Sequence, residues 1–281
     1  MISLIVCSKE GGISSELKEN IEKTIGVPYE IIVIDNSKNE YSIFSAYNEG
    51  VKKSRFNILC FMHEDILYHS QNWGENVINH LSDPKVGLIG LAGSYYLLNI
   101  PSPWYKAKPF VKNLIQSYPT SSQPPKRYSI TEDKEVICLD GFWFCSRKDI
   151  FDKVSFDEHS FNNFHFYDLD ISLQIHQKGY TLKAITNILV EHFSGGTLNQ
   201  KWLESAYIFY SKWHINQPVS LKNTPRRKLF AEIKAYRDLL YLHKKNNFPV
   251  SKKMKQMGIK ELKFTIYLAY ILFYIKLNLF K

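Results

Sequence analysis

The chain has 281 residues, of which 44% are hydrophobic and 15% aromatic. That composition is globular, is long enough for one large α/β domain or two modest ones, and excludes a largely disordered protein. The net charge of +9 is unevenly placed. Between Lys222 and Lys281, 15 Lys/Arg face 3 Asp/Glu, out of 36 and 27 in the whole chain, so residues 1–221 keep 21 basic and 24 acidic groups. The basic character belongs to the C-terminal end, which points to an anionic surface met by that end alone.

In chain order, Ile2–Val6 reads as a buried strand that follows the first residue at once, with no signal peptide ahead of it. Ser14–Ile25 has helical spacing at Leu17, Ile21 and Ile25, with Ser14 or Ser15 as N-cap. Glu30–Ile34 is a second buried strand and ends in Asp35-Asn36-Ser37. Tyr41–Lys53 reads as a helix with Phe44, Tyr47 and Val51 on one face. Phe56–Met62 is a third strand, running into His63-Glu64-Asp65. Trp73–Leu81 is a helix that stops before Pro84, and Val86–Ala92 a fourth strand closed by Gly93. Strands and helices alternating at this spacing predict a parallel sheet with right-handed crossovers. Three strand-end clusters, Ser8-Lys9-Glu10, Asp35-Asn36-Ser37 and His63-Glu64-Asp65, then fall along one sheet edge. Ligands bind at that edge in open α/β sheets.

From Tyr96 to Glu135 the pattern breaks. Six prolines are scattered among Trp104, Tyr105, Phe110 and Tyr118, which suggests a lid that packs on something. Order resumes with the strand Glu135–Leu139, then Asp140-Gly141 and the aromatic run Phe142-Trp143-Phe144. Asp149–Val154 is a short helix and Tyr167–Lys178 a longer one, closed by Gly179. The strand-rich segment Thr181–Val190 leads to His192 and a Gly195-Gly196 pair. Lys228–Lys244 has helical apolar spacing. Phe264–Phe280 is apolar around most of its circumference but short of the roughly 20 residues of a membrane span. It suits a helix docked on protein or lying at a bilayer interface. Cys7, Cys60, Cys138 and Cys145 form no CxxC pair. Three of them sit in apolar runs, as reduced thiols of a cytosolic protein do.

Each acid alone reads equally well as a solvated turn or a cap. Their order is more specific: Asp35 after the second strand, Asp65 after the third, Asp140-Gly141 after the lid, Asp168-Leu169-Asp170 opening a helix, then His192 before a glycine pair. This series resembles the family 2-like glycosyltransferases, which have the GT-A fold and use nucleotide-sugar donors. The resemblance runs from Ile2 to about Thr197. It implies a Rossmann-like, mostly parallel mixed sheet flanked by helices. Residues 1–95 would form the nucleotide-sugar half, 96–135 a variable lid or acceptor loop, and 136–220 the acceptor-binding and catalytic half. Residues 221–281 would be a basic, apolar helical extension.

Carried over residue by residue, the resemblance implies that Ser8 and Lys9 contact the nucleotide and that Asp35 accepts hydrogen bonds from its base. His63-Glu64-Asp65 stands at the family's DXD position, with Asp65 on a divalent metal, Mn2+ or Mg2+. His192, and His63 if its imidazole ligates, would complete that site. Asp168 would be the general base, and Asp140 and Trp143 would line the acceptor side. The donor would be a UDP- or dTDP-sugar and the acceptor a glycan or lipid-linked hydroxyl. A bacterial envelope or capsule pathway follows from the resemblance alone. The pattern departs from the family at three places: histidine begins the DXD position, Tyr47 replaces a basic residue, and Tyr167 replaces the glutamate before the base. A catalytically silent nucleotide-sugar-binding or scaffold protein, or a metal-dependent nucleotidyltransferase, stays open as an alternative. No helix-turn-helix, RNA-binding signature or zinc spacing supports nucleic-acid binding. The basic end running into Phe264–Phe280 favours a cytoplasmic protein peripheral at the inner face of the membrane.

Overall fold

The computed structural model describes residues 1–119, 121–215, 219–221 and 228–248. Its centre is a seven-stranded mixed sheet. The strands Ile2–Ser8, Tyr29–Asp35 and Ile58–Met62 lie side by side and parallel, with the first in the middle. Their near-continuous apolar residues match strands covered on both faces. The helix Ser15–Thr24 is capped by Ser14, whose hydroxyl accepts from the Leu17 N–H, and buries Leu17 and Ile21. The helix Ile43–Lys53 begins at a Ser42–Ser45 capping box and buries Phe44 and Tyr47.

The expected fourth neighbour, Val86–Gly90, does not pair with the third strand. Trp143–Arg147 inserts between them, antiparallel to both. Thr181–Ala184 then runs parallel to Val86–Gly90, and Lys134–Val136 closes that edge in the antiparallel sense. Five strands therefore share one direction and two oppose it. The reversal has a functional consequence. The inserted strand starts at the edge where the parallel strands end, so Asp140-Gly141-Phe142 arrives beside His63, whose N–H donates to the Phe142 carbonyl at 2.9 Å.

The lid carries more regular structure than its prolines suggest. Phe110–Lys112 joins Ala92–Ser94 and Cys138–Leu139 in a three-stranded sheet. Leu114–Gln116 lies between Lys126–Tyr128 and Val190–His192 in a four-stranded one, completed by Ile66–Tyr68. The helix Gln200–Lys212, absent from the sequence reading, starts at Asn199, whose side chain accepts from the Trp202 N–H. The helix Lys228–Lys245 follows. Its His243 bonds the Tyr207 hydroxyl at 2.5 Å, and its Asp238 pairs with Lys106 of the lid at 2.6 Å. Phe264–Phe280 lies outside the described residues. Among the described residues, no helix is long and apolar enough to cross a membrane. The four cysteines are free thiols; Cys60, Cys138 and Cys145 are buried.

Candidate active site

Three chain segments converge where the third strand ends. Asp65 follows Ile58–Met62, and the next strand, Ile66–Tyr68, pairs with Val190–His192, placing His192 opposite Ile66. The Phe193 N–H then donates to the Asp65 carbonyl at 2.9 Å. Asp65 Oδ1 lies 3.6 Å from His63 Nδ1 and 3.6 Å from His192 Nε2. One ligand atom from each of these three residues falls within 4.8 Å of the others. Asp65 Oδ1 and His192 Nε2 are buried and have no hydrogen-bond partner among the described residues. Buried polar atoms left in that state normally answer to an ion or a water. Two imidazole nitrogens and a carboxylate oxygen converging there form a donor set that fits a divalent cation. Burial alone would raise the Asp65 carboxyl, but His192 and His63 outweigh it and hold it well below the usual carboxylate range. His192 is fixed by Phe142, whose ring stacks on it at 4.7 Å. The lid strand also grips it, through Gln116 Nε2 and Ser117 N–H on its carbonyl.

Beside this triad lie two further carboxylates. Asp168 opens the helix Tyr167–Gln177 and accepts from its own helix at the Leu169 N–H (2.9 Å) and from the Gly141 N–H (3.1 Å). Burial, followed by the charge of Asp140, pushes its pKa up to about 7, against those two donors. Asp140 is held on both oxygens, by the Phe142 N–H at 3.1 Å and by the indole N–H of Trp104 at 2.9 Å. A carboxylate poised near neutrality, its neighbour's charge fixed by the lid, is suited to taking a proton from a hydroxyl.

At the other end of the site, Asp35 is fully exposed, and the Ser37 N–H holds its carboxyl below the usual value. Gly11, at φ +76°, brings the first loop against it; a Cβ there would stand 3.3 Å from Asp35 Oδ1. A cavity of about 290 Å³ opens beside Asp35, Lys38 and Tyr41. Lys9 is exposed, and its Nζ lies 5.3 Å from the ring of Phe164, which is itself 40% exposed and 5.6 Å from the His63 ring.

Two expected roles are corrected by these contacts. Trp143 was expected to face a sugar on the acceptor side. It is fully buried, pairs with Met62 in the sheet, packs edge-on against Trp73 and donates its indole N–H to Tyr68. Ser8 was expected to touch the nucleotide. It is fully buried, and its hydroxyl donates to the Gly12 carbonyl and accepts from the Glu10 and Gly12 N–H groups, so it shapes the loop instead. Glu64 turns from the triad, as strand alternation suggested, and accepts from the Lys9 N–H at 3.1 Å. Asp170, also fully buried, ties its helix to Lys212 and Trp213.

Three residues that carry no site role in the sequence reading are brought to the site by the structure. Tyr167 places its hydroxyl 2.8 Å from His63 Nε2. Trp104 reaches Asp140 across 36 positions, a contact no local pattern reveals. Phe164 left one signal, an aromatic residue in a polar stretch just ahead of the candidate base.

The fold, a mixed α/β sheet with its carboxylates gathered at the ends of parallel strands, is that of the GT-A glycosyltransferases. The chain belongs to the family described as "Glycosyltransferase like family", whose model matches residues 3–213. No curated protein matches it. Among solved structures it is similar to S. aureus TarS residues 1–349, at 11% identity and TM-score 0.51 over 92% of this chain and 78% of that one. It is also similar to GalNAc-T7 with UDP, GalNAc and Mn2+, at 14% identity and TM-score 0.49 over 94% of this chain and 57% of that one. A third likeness is A197 from STIV, at 14% identity and TM-score 0.41 over 69% and 86% of the two chains.

Proposed function

We propose that this glycosyltransferase moves a sugar from a nucleoside-diphosphate donor, a UDP- or dTDP-sugar, to a hydroxyl of a glycan or lipid-linked acceptor, with inversion at the anomeric carbon. The observation that carries the proposal is the placement of Asp168, at a pKa of about 7, beside a three-residue cation site. Asp35, with the cavity at its side, would accept hydrogen bonds from the base. Lys9, exposed at the adjacent loop, would meet the diphosphate. Asp65, His63 and His192 would hold a divalent cation, Mn2+ or Mg2+, which as a Lewis acid offsets the charge gathering on the departing diphosphate.

Asp168 would take the proton of the acceptor hydroxyl. About half ionised near pH 7, it is basic enough to accept a proton and acidic enough to release it afterwards. Burial, and after it the charge of Asp140, would set that balance, and Trp104 keeps Asp140 in place. One base and one departing group on opposite faces of the sugar correspond to a single displacement and hence to inversion. The basic stretch after Lys222 would hold the protein at an anionic membrane surface, near a lipid-linked acceptor. Incubating the protein with a panel of UDP- and dTDP-sugars and Mn2+ tests the reading. Release of the nucleoside diphosphate, abolished in Asp168→Asn, is expected. Nucleotide-sugar binding without turnover in the wild type would leave a silent binder in its place, and a product that retains the donor's anomeric configuration would overturn inversion.

A further inference from the structure

His63 has two ring nitrogens with different neighbours. Nδ1 faces Asp65 Oδ1 at 3.6 Å, on the side where His192 Nε2 also converges. Nε2 lies 2.8 Å from the Tyr167 hydroxyl. That hydroxyl cannot swing away. The Tyr167 ring is 3% exposed, and Phe44 and Tyr47 pack edge-on against it at 6.3 and 5.5 Å. Its tip fills the space left by a missing side chain, since a Cβ on Gly141 would stand 2.2 Å from the Tyr167 oxygen.

We infer that Tyr167 is a positioning residue which holds the His63 ring at Nε2, so that Nδ1 faces a cation shared with Asp65 and His192. The inference rests on the cation site proposed above. A neutral imidazole carries one proton. If Tyr167 donates to Nε2, that proton sits on Nδ1, points at Asp65 and closes the site. If Nε2–H donates to the Tyr167 oxygen instead, Nδ1 is free to ligate. A cation at Nδ1 is compatible only with the second arrangement, in which the Tyr167 oxygen accepts from Nε2–H and keeps the ring in place. Partners of this kind behind a ligating histidine are worth about 10- to 100-fold in metal affinity.

The test uses the full chain without any donor, so it stands apart from the transferase reading: a protein that binds metal but no nucleotide sugar fails only that reading. Mn2+ is titrated by electron paramagnetic resonance into the wild type and Tyr167→Phe. Long-range 15N–1H NMR reads the His63 ring nitrogens in the protein loaded with diamagnetic Zn2+. The expected results are a Kd for Mn2+ at least about tenfold weaker in Tyr167→Phe and, in the Zn2+-loaded wild type, a His63 proton on Nε2, facing Tyr167. A merely space-filling role predicts an unchanged Kd in Tyr167→Phe, because the ring still fills the space beside Gly141. A Mn2+ affinity of Tyr167→Phe equal to the wild type overturns the inference. So does a Zn2+-loaded His63 protonated at Nδ1, and so does a wild type that binds neither ion. If Tyr167→Phe fails to fold, the wild-type NMR still decides.

Discussion

Asp168 is held in a position that favours its protonated form, and this has consequences for both rate and stability. Its pKa of about 7 lies above its ordinary value of 3.8. A carboxyl raised on folding contributes stability at low pH, and that contribution is lost as pH rises from the unfolded value through the folded one. In Asp168→Asn the residue stays neutral throughout. The variant should therefore lose turnover while its Tm exceeds that of the wild type by more at pH 8 than at pH 5, which calorimetry at the two values checks. A constant difference across that window would mean that Asp168 is not held in this way. Asp140 supplies part of the shift by its charge. Asp140→Asn removes that charge but keeps an oxygen for the Trp104 indole, so the acidic limb of the kcat/KM profile should move below pH 7. An unmoved limb would assign the titration to another group. The triad invites a third experiment at this scale. Two of its three protein donors are imidazoles, which suit Mn2+ better than Mg2+. His63→Asp replaces a nitrogen donor by a hard oxygen, and the ratio of Mg2+ to Mn2+ affinity measured by titration should rise.

Between single residues and the whole molecule, the element that matters most is the inserted strand Trp143–Arg147. Running against its neighbours, it brings Asp140-Gly141 to His63 and delivers the Gly141 N–H to Asp168. Gly141 has to be glycine because Tyr167 occupies the space of its side chain. Gly141→Ala should push the Tyr167 ring out and weaken Mn2+ binding and turnover together, whereas an effect on turnover alone would leave Tyr167 undisturbed. Trp143 itself belongs to the core. Trp143→Ala should cost about 3–5 kcal/mol of stability, as truncations of buried aromatics do, while Trp143→Phe should leave the KM for an acceptor unchanged. The parallel half of the sheet was legible in the sequence because Ile2–Ser8, Tyr29–Asp35 and Ile58–Met62 are apolar runs separated by capped helices. The insertion was not. Strand periodicity shows which face is buried but not which neighbour is paired. Trp143 could stand as an acceptor-side residue in the sequence because a strand covered on both faces has no polar alternation to show which way it points. Three-residue strands such as Ile66–Tyr68 and Leu114–Gln116 are too short to carry a period, so the lid read as loop. The helix Gln200–Lys212 did leave a signal: Asn199 as cap, with Trp202, Leu203, Ala206, Phe209 and Tyr210 on its buried face. Of the candidate site, the positions of Asp35, Asp65 and His192 at strand ends were legible, as was that of Asp168 at its helix start. Contacts made across the fold, such as Trp104 to Asp140, were not.

At the scale of the whole molecule, the two signs of charge are separated along the chain, and the site lies in the acidic part. Asp35, Asp65, Asp140 and Asp168 all sit within residues 1–221, which carry 24 acidic and 21 basic groups. A diphosphate donor entering there would need a cation to offset those carboxylates, and the triad could hold one. The excess of twelve positive charges from Lys222 to Lys281 would be left for a different partner. Each Lys or Arg near an anionic bilayer adds about 1 kcal/mol of attraction, while the net-negative body gains nothing from approaching it. The molecule would therefore meet such a surface by its C-terminal end. The helix Lys228–Lys245 lies at the start of that stretch and is tied to the lid through the Lys106–Asp238 pair, so anchoring there would also fix the lid over the surface. Flotation with phosphatidylserine-containing vesicles checks this. The full chain should float at roughly 0.1 M salt and be released at roughly 1 M, where screening shortens from about 10 Å to about 3 Å. A chain ending before Lys252 keeps 8 of those 15 basic residues and should float less at the lower salt. Binding that survives high salt in the full chain and vanishes only on truncation would assign the anchor to the apolar Phe264–Phe280 stretch rather than to charge. A full chain that fails to float at roughly 0.1 M salt would remove the membrane from the account of this protein.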